Sequence, residues 1–441
     1  MTDMPREDIV MVCCSDIAGQ VRGKGLLARD LHERREKGVG WTPTNIMITA
    51  HGAIADTPWG PFGDLILKPD LDTLVRVDFG DDGAPEHFVL GDIRHLDGTA
   101  WACCPRDFLR RGLDALKAEA GLTLKASFEH EFHYDGVEEV ANSGYALDAY
   151  RRQGVFAETF LDALQQAAII PDTFMPEYGP CQYEVTVEPK PAMRSADEAV
   201  ILRQIARATA FRLGHRASFT PILRPDSVGN GLHVHFSLHD AETGKPVNHD
   251  PSADHGVSAT AAHFLAGILD KLPVLTALTA ATPISYLRLV PNRWSAAYTN
   301  LGVQDREASL RICPVFETTG VDVAKQFHFE YRAADAAATP YFVLGAIVWA
   351  GVHGLRAKLP RPEPTETDPG GMTAEEFDRC KLARLPRSLS AALDLLEADE
   401  DAKGWLGPEL HDAYLRHKRF EDALMADLPL EEQCARYHKV F

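Results

Sequence analysis

The chain has 441 residues, 45% apolar and 25% charged, which supplies a large core and room for more than one domain. Wholesale disorder and a small disulfide-stapled module are both excluded. Its 45 lysines and arginines face 64 aspartates and glutamates, a formal charge of −19 with no basic patch in the sequence; that balance repels phosphate backbones, excludes a nucleic-acid binder and leaves carboxylates to spare for hard divalent cations.

The first eight residues, Met-Thr-Asp-Met-Pro-Arg-Glu-Asp, are charged and lead into no apolar stretch of signal-peptide length, which predicts a cytoplasmic protein. Residues 1–100 alternate short apolar runs (9–13, 65–67, 74–77) with Gly, Pro and Asp turns, the pattern of a small β-rich domain. A second domain, 101–441, follows. Residues 108–120 have helical periodicity, with Asp107 as the expected N-cap and Gly121 just past the end. Residues 122–134 read as a strand. Ser195-x-x-Glu198 has the form of a capping box, opening a helix that stops at Gly214; strands are expected at 217–223 and 232–238. The most apolar stretch, 336–352, is interrupted by Thr339 and Pro340, which fit an N-cap and first helical position, so it reads as a buried helix and not a membrane span. Residues 359–372, rich in Pro, Gly, Glu and Thr, form an expected exposed loop, and 389–397 and 408–425 are the clearest of the helices after it. The eight cysteines (the neighbours Cys13/Cys14 and Cys103/Cys104, with Cys181, Cys313, Cys380 and Cys434) show no C-x-x-C spacing and read as reduced, mostly buried thiols.

Four pairs of charged or metal-competent residues are spaced by two on segments that read as strands: Glu129/Glu131, Gln182/Glu184, His233/His235 and Glu330/Arg332. Period-two spacing puts both members of a pair on one sheet face. Glu177 precedes Glu184 in the same short stretch. Any one pair alone fits the exposed polar face of an edge strand. Four on separate apolar strands fit a shared site, where cations would neutralise the gathered carboxylates. Carboxylates with an imidazole suit Mg²⁺ or Mn²⁺ better than zinc, and the ligand count allows two ions; spacing alone leaves His235 equally a ligand or a satisfied core histidine. A second set, Arg288, Arg306, Arg311 and Arg332, carries forked guanidinium groups suited to carboxylate and phosphate oxygens. With no nucleophile elbow, dinucleotide fingerprint or P-loop in the sequence, metals plus arginines point to phosphoryl transfer.

In this order the Glu-x-Glu strand, Glu-x-Gly-Pro-x-Gln-x-Glu, Gly-x-Gly-x-His-x-His-x-Ser-Leu, Arg-Leu-Val-Pro, Arg-x-x-x-x-Arg-Ile and Glu-x-Arg segments resemble the glutamine synthetase family. The resemblance implies an α+β chain: a small β-grasp N-terminal domain, then a large catalytic domain whose curved antiparallel sheet is surrounded by helices. It further implies a homo-oligomeric ring, a dodecamer, with active sites between subunits. Carried over by residue, one metal falls to Glu131, Glu177 and Glu184 and the other to Glu129, His233 and Glu330, bridging ATP phosphates and the γ-carboxylate of glutamate. Arg288 and Arg332 correspond to glutamate clamps, with the Gly229 backbone near its amino group. His235, Ser237, Lys325, Arg306 and Arg311 match nucleotide or phosphate positions, and Arg306, Arg311 and Glu330 form the expected catalytic group. The implied chemistry is a γ-glutamyl phosphate that then meets a nitrogen nucleophile.

Departures from the pattern concern that nucleophile. The flap position held by a glutamate in ammonia-using members is Trp294 here, and the N-terminal segment whose aspartate helps bind ammonium is replaced, on a weaker alignment, by Trp41-Thr42-Pro43-Thr44-Asn45. A Trp and a neutral Thr42 suit an amine carrying an apolar or aromatic substituent; flap packing is the other reading of Trp294. Val228 stands where the family commonly has Asn, and the sequence holds no Tyr between Tyr341 and Tyr414, where the family's adenylylated tyrosine would fall. The expected activity is a γ-glutamyl amide ligase using glutamate and a small organic amine, with an ammonia-using glutamine synthetase and a catalytically silent binding protein as its rivals.

Overall fold

The computed structural model describes residues 6–316, 318 and 320–441. Residues 1–5, which carry much of the leader reading, lie outside the described residues. Strands β1 (Ile9–Ser15), β2 (Val21–Leu27), β3 (Val39–Trp41), β4 (Leu65–Pro69), β5 (Val75–Val77) and β6 (Glu86–Arg94), with helix α1 (Leu31–Lys37), build the N-terminal unit. Its sheet runs β2-β1-β6-β4-β3 with β5 also on β6, and β1 and β6 pair in parallel. Alternating burial along β4 marks one face turned inward.

Helix α2 (Pro105–Ala120) opens the larger unit. It starts with Pro105 in the first helical position after Cys104, not at Asp107, whose carboxylate instead binds Arg110 and Arg111 one turn on. Gly121 ends it in the left-handed region, φ 65°, as the sequence predicts. Next come β7 (Leu122–Tyr134), α3 (Leu147–Arg152), α4 (Phe156–Gln166), β8 (Pro171–Pro176), β9 (Gln182–Val187), β10 (Lys190–Pro191), α5 (Ala192–Arg212), β11 (Ala217–Ser218) and β12 (Leu232–Asp240). The Ser195/Glu198 capping box is therefore corrected: the N-cap of α5 is Pro191, four residues before Ser195, both side chains are buried inside the helix, and Glu198 pairs with Arg194 at 2.8 Å. The strand expected at 217–223 ends at Ser218, because the Phe219 N–H turns to the carbonyl of Phe441 and Pro221 accepts from Asn230.

Then follow α6 (Ala259–Thr279), β13 (Leu301–Val303), β14 (Leu310–Ile312), the single turn α7 (Val323–Gln326), β15 (Phe329–Tyr331), α8 (Pro340–Ala357), α9 (Ala374–Arg379), α10 (Leu389–Ala398), α11 (Glu400–Leu406), α12 (Pro408–Met425) and α13 (Leu430–Val440). The large sheet runs β13-β14-β15-β12-β7-β9-β8, with β10 and β11 also on β7. It is antiparallel as expected except at β13/β14, which pair in parallel. Helix α8 takes the stretch expected to be buried, with Pro340 in its first turn. It packs on α6 so closely that a Cβ on Gly267 or Gly354 would meet backbone carbonyls at 2.1 Å. Among the described residues α6 is long and apolar enough to cross a membrane, and 67% of that stretch is buried against the fold. The expected loop 359–372 is irregular but anchored: buried Thr365 donates its N–H to Leu301 O at 2.7 Å. Arg106 joins the two units, bonding Asp70 and Asp92 of the first and Asp197 of α5 at 2.7, 3.1 and 2.8 Å, all but Asp70 largely out of water. Removing one partner would strand a buried charge.

Candidate active site

Antiparallel pairing turns the period-two residues into a grid. In β12 and β7, His233 sits opposite Glu129; in β12 and β15, His235 sits opposite Glu330; in β7 and β9, Glu131 sits opposite Glu184; in β14 and β15, Arg311 sits opposite Glu330. Side chains that share a face and a register must converge. They do: Glu129, Glu131, Glu184 and His233 offer donor atoms all within 4.8 Å of one another, and Glu129, His235 and Glu330 form a second such group. His233 Nδ1 lies 2.7, 3.9 and 3.7 Å from the carboxylates of Glu129, Glu131 and Glu330.

The floor formed by these residues lies under a cavity of about 850 Å³, also lined by Glu177, Gly229, Ser237, Arg288, Trp294, Arg306, Lys325 and Arg332. Glu330 and Arg311 stand directly behind the lining, buried, with Arg311 Nη1 donating to Glu330 at 2.9 Å and Arg332 closing on the other carboxylate oxygen. Glu177 lines the cavity outside the two compact groups, its carboxylate accepting from the Tyr178 N–H at 3.2 Å and from the Tyr145 hydroxyl. The metal partition implied by the resemblance thus differs from the grid, which places Glu129 in both groups and Glu177 in neither. Thr42 is not brought into the cavity of its own chain; it precedes the short turn Pro43–Met47 of the N-terminal unit. Lys325 reaches the rim with its side chain 75% exposed.

Crowding leaves an electrostatic signature. Burial, the Glu177 charge and, in part, Glu129 push the Glu131 carboxyl up to about 7, against the pull of Arg288. Burial with Glu129, Glu131 and Glu177 lifts Glu184 well above the usual carboxylate range. Burial also raises Glu129 and Glu330, but hydrogen bonds from His233 and His235 outweigh it at Glu129, and Arg332 and the two histidines hold Glu330 at about 2. A floor that cannot ionise fully on its own fits a bound cation. Arg288 fits an anion: it is buried, Nη2 donates to the Arg332 carbonyl at 3.1 Å, and Nη1 has no partner among the described residues.

Further contacts hold the site together, and those of Glu307, Tyr145 and Tyr178 come from residues with no role in the sequence analysis. Gln182 pins the floor: its side-chain NH₂ lies within 3.0 Å of Glu131 Oε2, Gly229 O and Asn230 Oδ1, while its Oε1 accepts from Gly179 N–H at 2.7 Å. Glu307 accepts the N–H groups of Asn292 and Trp294 at 3.0 and 3.1 Å, holding a turn in which both residues have positive φ, 60° and 54°. That turn aims the Trp294 indole at Tyr178, with ring centroids 5.6 Å apart and planes 14° from parallel, and Tyr145 meets Tyr178 edge-on. Trp294 remains 51% exposed, so it is not packed away as a core residue.

The profile for the glutamine synthetase catalytic domain matches residues 102–437, and that for the glutamine synthetase N-terminal domain matches residues 3–101. A gamma-glutamylpolyamine synthetase of Streptomyces coelicolor is 33% identical over 418 residues, 92% of this chain and 88% of that protein. A glutamine synthetase of Pyrococcus abyssi is 29% identical over 420 residues, again 92% and 88%. A crystal structure described as a novel glutamine synthase homolog superposes with a TM-score of 0.91 at 37% identity, covering 100% of both chains. Sheet grid, arginines and these likenesses agree: the chain belongs to the glutamine synthetase family and is a carbon–nitrogen ligase.

Proposed function

We propose that this ligase joins L-glutamate to an organic amine through γ-glutamyl phosphate, consuming ATP and leaving a γ-glutamyl amide, ADP and phosphate. Arg288, with its unpaired Nη1, and Arg332 hold the glutamate carboxylate, and the Gly229 carbonyl takes its ammonium group. Mg²⁺ or Mn²⁺, two or more ions, would be held by Glu129, Glu131, Glu177, Glu184, His233 and Glu330 and would supply Lewis-acid stabilisation of the transferred phosphoryl group. Arg306 meets phosphate oxygens from the cavity wall, with His235, Ser237 and Lys325 on the nucleotide side. Arg311 acts through Glu330, fixing its carboxylate from behind. Holding acid and nucleotide in one cleft lowers the entropic part of the barrier. We place the reaction in a cytoplasmic homo-oligomeric ring, a dodecamer, with domains 1–100 and 101–441; each cavity is completed by Thr42 of a neighbouring copy.

One observation carries the amine reading: the wall beside the acyl site at Trp294 is an aromatic surface of Trp294, Tyr178 and Tyr145. Aromatic faces attract alkylammonium groups and bury their substituents. The likeness to a gamma-glutamylpolyamine synthetase supports the same reading. Phosphate release with glutamate, ATP and a panel of alkyl, polyamine and aromatic amines against ammonia tests it. At least one amine is expected to exceed ammonia in kcat/KM. Ammonia exceeding every amine would favour the second reading, ammonia use, to which the likeness with the Pyrococcus abyssi glutamine synthetase points.

A further inference from the structure

Cys313 and His328 have no part in the ligase reading, yet they meet His235 at one end of the carboxylate grid. Cys313 follows β14 and His328 precedes β15, so pairing of these strands sets them opposite each other, with the Cys313 N–H donating to the His328 carbonyl at 3.3 Å. The side chains then converge: His235 Nδ1 is 3.1 Å from His328 Nε2 and 3.8 Å from Cys313 Sγ, and the three donor atoms lie within 4.8 Å of one another.

The outward partners of the two imidazoles fix what they present to each other. His328 Nδ1 lies 2.6 Å from the Gln326 carbonyl, which only accepts, so Nδ1 carries a proton and Nε2 is the nitrogen that faces His235. His235 Nε2 faces the Glu129 carboxylate at 3.3 Å, again an acceptor, so Nε2 carries a proton and Nδ1 is the nitrogen turned to His328. One proton between the two nitrogens satisfies this contact, and a cation that displaces it meets both nitrogens together with the Cys313 sulfur, 3.8 Å from His235 Nδ1.

We propose that His235, Cys313 and His328 form a binding site for a zinc-class divalent cation at the edge of the oxygen-rich carboxylate floor, with His235 shared between the two. Nitrogen and sulfur donors select borderline and soft ions over Mg²⁺. With Zn–N of ~2.0–2.1 Å and Zn–S of ~2.3 Å, a tetrahedral ion spaces its donors by ~3.3 Å between nitrogens and ~3.6 Å from nitrogen to sulfur. The observed 3.1 and 3.8 Å need only small side-chain shifts to match. His235 and His328 line the cavity while Cys313 is buried beneath, so the fourth position opens toward the cleft.

The test is absorption spectroscopy of the metal-stripped full-length protein titrated with Co²⁺ in excess Mg²⁺, followed by Zn²⁺ competition. A cobalt–thiolate charge-transfer band saturating at one ion per chain is expected. C313S should lose the band and weaken Zn²⁺ at least tenfold, H328Q should weaken it at least tenfold, and E129Q should keep the band. No thiolate band in the wild-type protein at saturating Co²⁺ would overturn the site without recourse to any variant. So would unchanged Zn²⁺ affinity in C313S, which would place the ion among the carboxylates.

Discussion

Glu131→Gln should make the metal-stripped protein more stable while removing its response to Mg²⁺. Glu131 is 9% exposed, and its Oε2 accepts the Gly231 N–H at 2.8 Å and the Gln182 side chain at 3.0 Å. A glutamine amide oxygen keeps both bonds, so the substitution removes the charge and little else. Lifting the carboxyl from its ordinary 4.5 to about 7 costs the native state about 3 kcal/mol once the group is ionised. The sign follows from which state loses its proton first. The unfolded chain ionises near the ordinary value and the native chain only near 7, so native stability falls as pH rises between them and the full cost is present at pH 8. Urea unfolding at pH 8 in chelator should therefore show E131Q above wild type by up to about 3 kcal/mol. Saturating Mg²⁺ should raise wild type and leave E131Q nearly unmoved. E131Q below wild type in chelator, or a wild-type midpoint indifferent to Mg²⁺, would refute the crowded, cation-seeking floor.

Trp294→Glu removes an aromatic–ammonium contact of ~1–2 kcal/mol, so kcat/KM for the best amine should drop about tenfold while that for ammonia rises; no change in either would make the indole a packing residue. Gln182→Leu takes away the side-chain amide that lies within 3.0 Å of Glu131, Gly229 and Asn230, and urea unfolding should show a loss of about 2–4 kcal/mol, whereas an unchanged midpoint would mean water replaces the amide. Burial and the nearby Arg203 hold His130 at about 3, so it stays neutral in the native state while the unfolded chain protonates it near 6.5. Its stabilisation is complete above that value and is lost as pH falls toward 3. The stability difference between wild type and His130→Leu should therefore shift by about 1.4 kcal/mol from pH 7.5 to 5.5; a pH-independent difference would contradict the assignment.

What was legible in the sequence was local and periodic. The β7 strand coincides with residues 122–134 because alternating apolar residues begin at a helix-ending glycine. The four period-two pairs landed on adjacent strands, since a buried sheet face admits such residues only where they serve one another. Capping signals failed where tertiary contacts outbid them: Asp107 is taken by arginines, and the Ser195/Glu198 pair lies in a helix buried on nearly every side. Tyr145, Tyr178 and Glu307 escaped notice because loops with no period bring them to Trp294. Cys313 and His328 carried a usable signal: each lies two residues outside the Arg311/Glu330 register pair, so the period that found the carboxylates extends to them. Thr42 shows the opposite limit, because a residue expected to serve a neighbouring copy leaves no mark in the cavity of its own chain.

The central claim is that the acyl phosphate is taken by an organic amine in preference to ammonia. Mass spectrometry of one reaction holding glutamate, ATP, Mg²⁺ and equimolar ammonia and amine reads it directly, because the ratio of products at early times equals the ratio of the two kcat/KM values. An excess of γ-glutamyl amide over glutamine for at least one amine is predicted. Glutamine dominating against every amine would contradict the account.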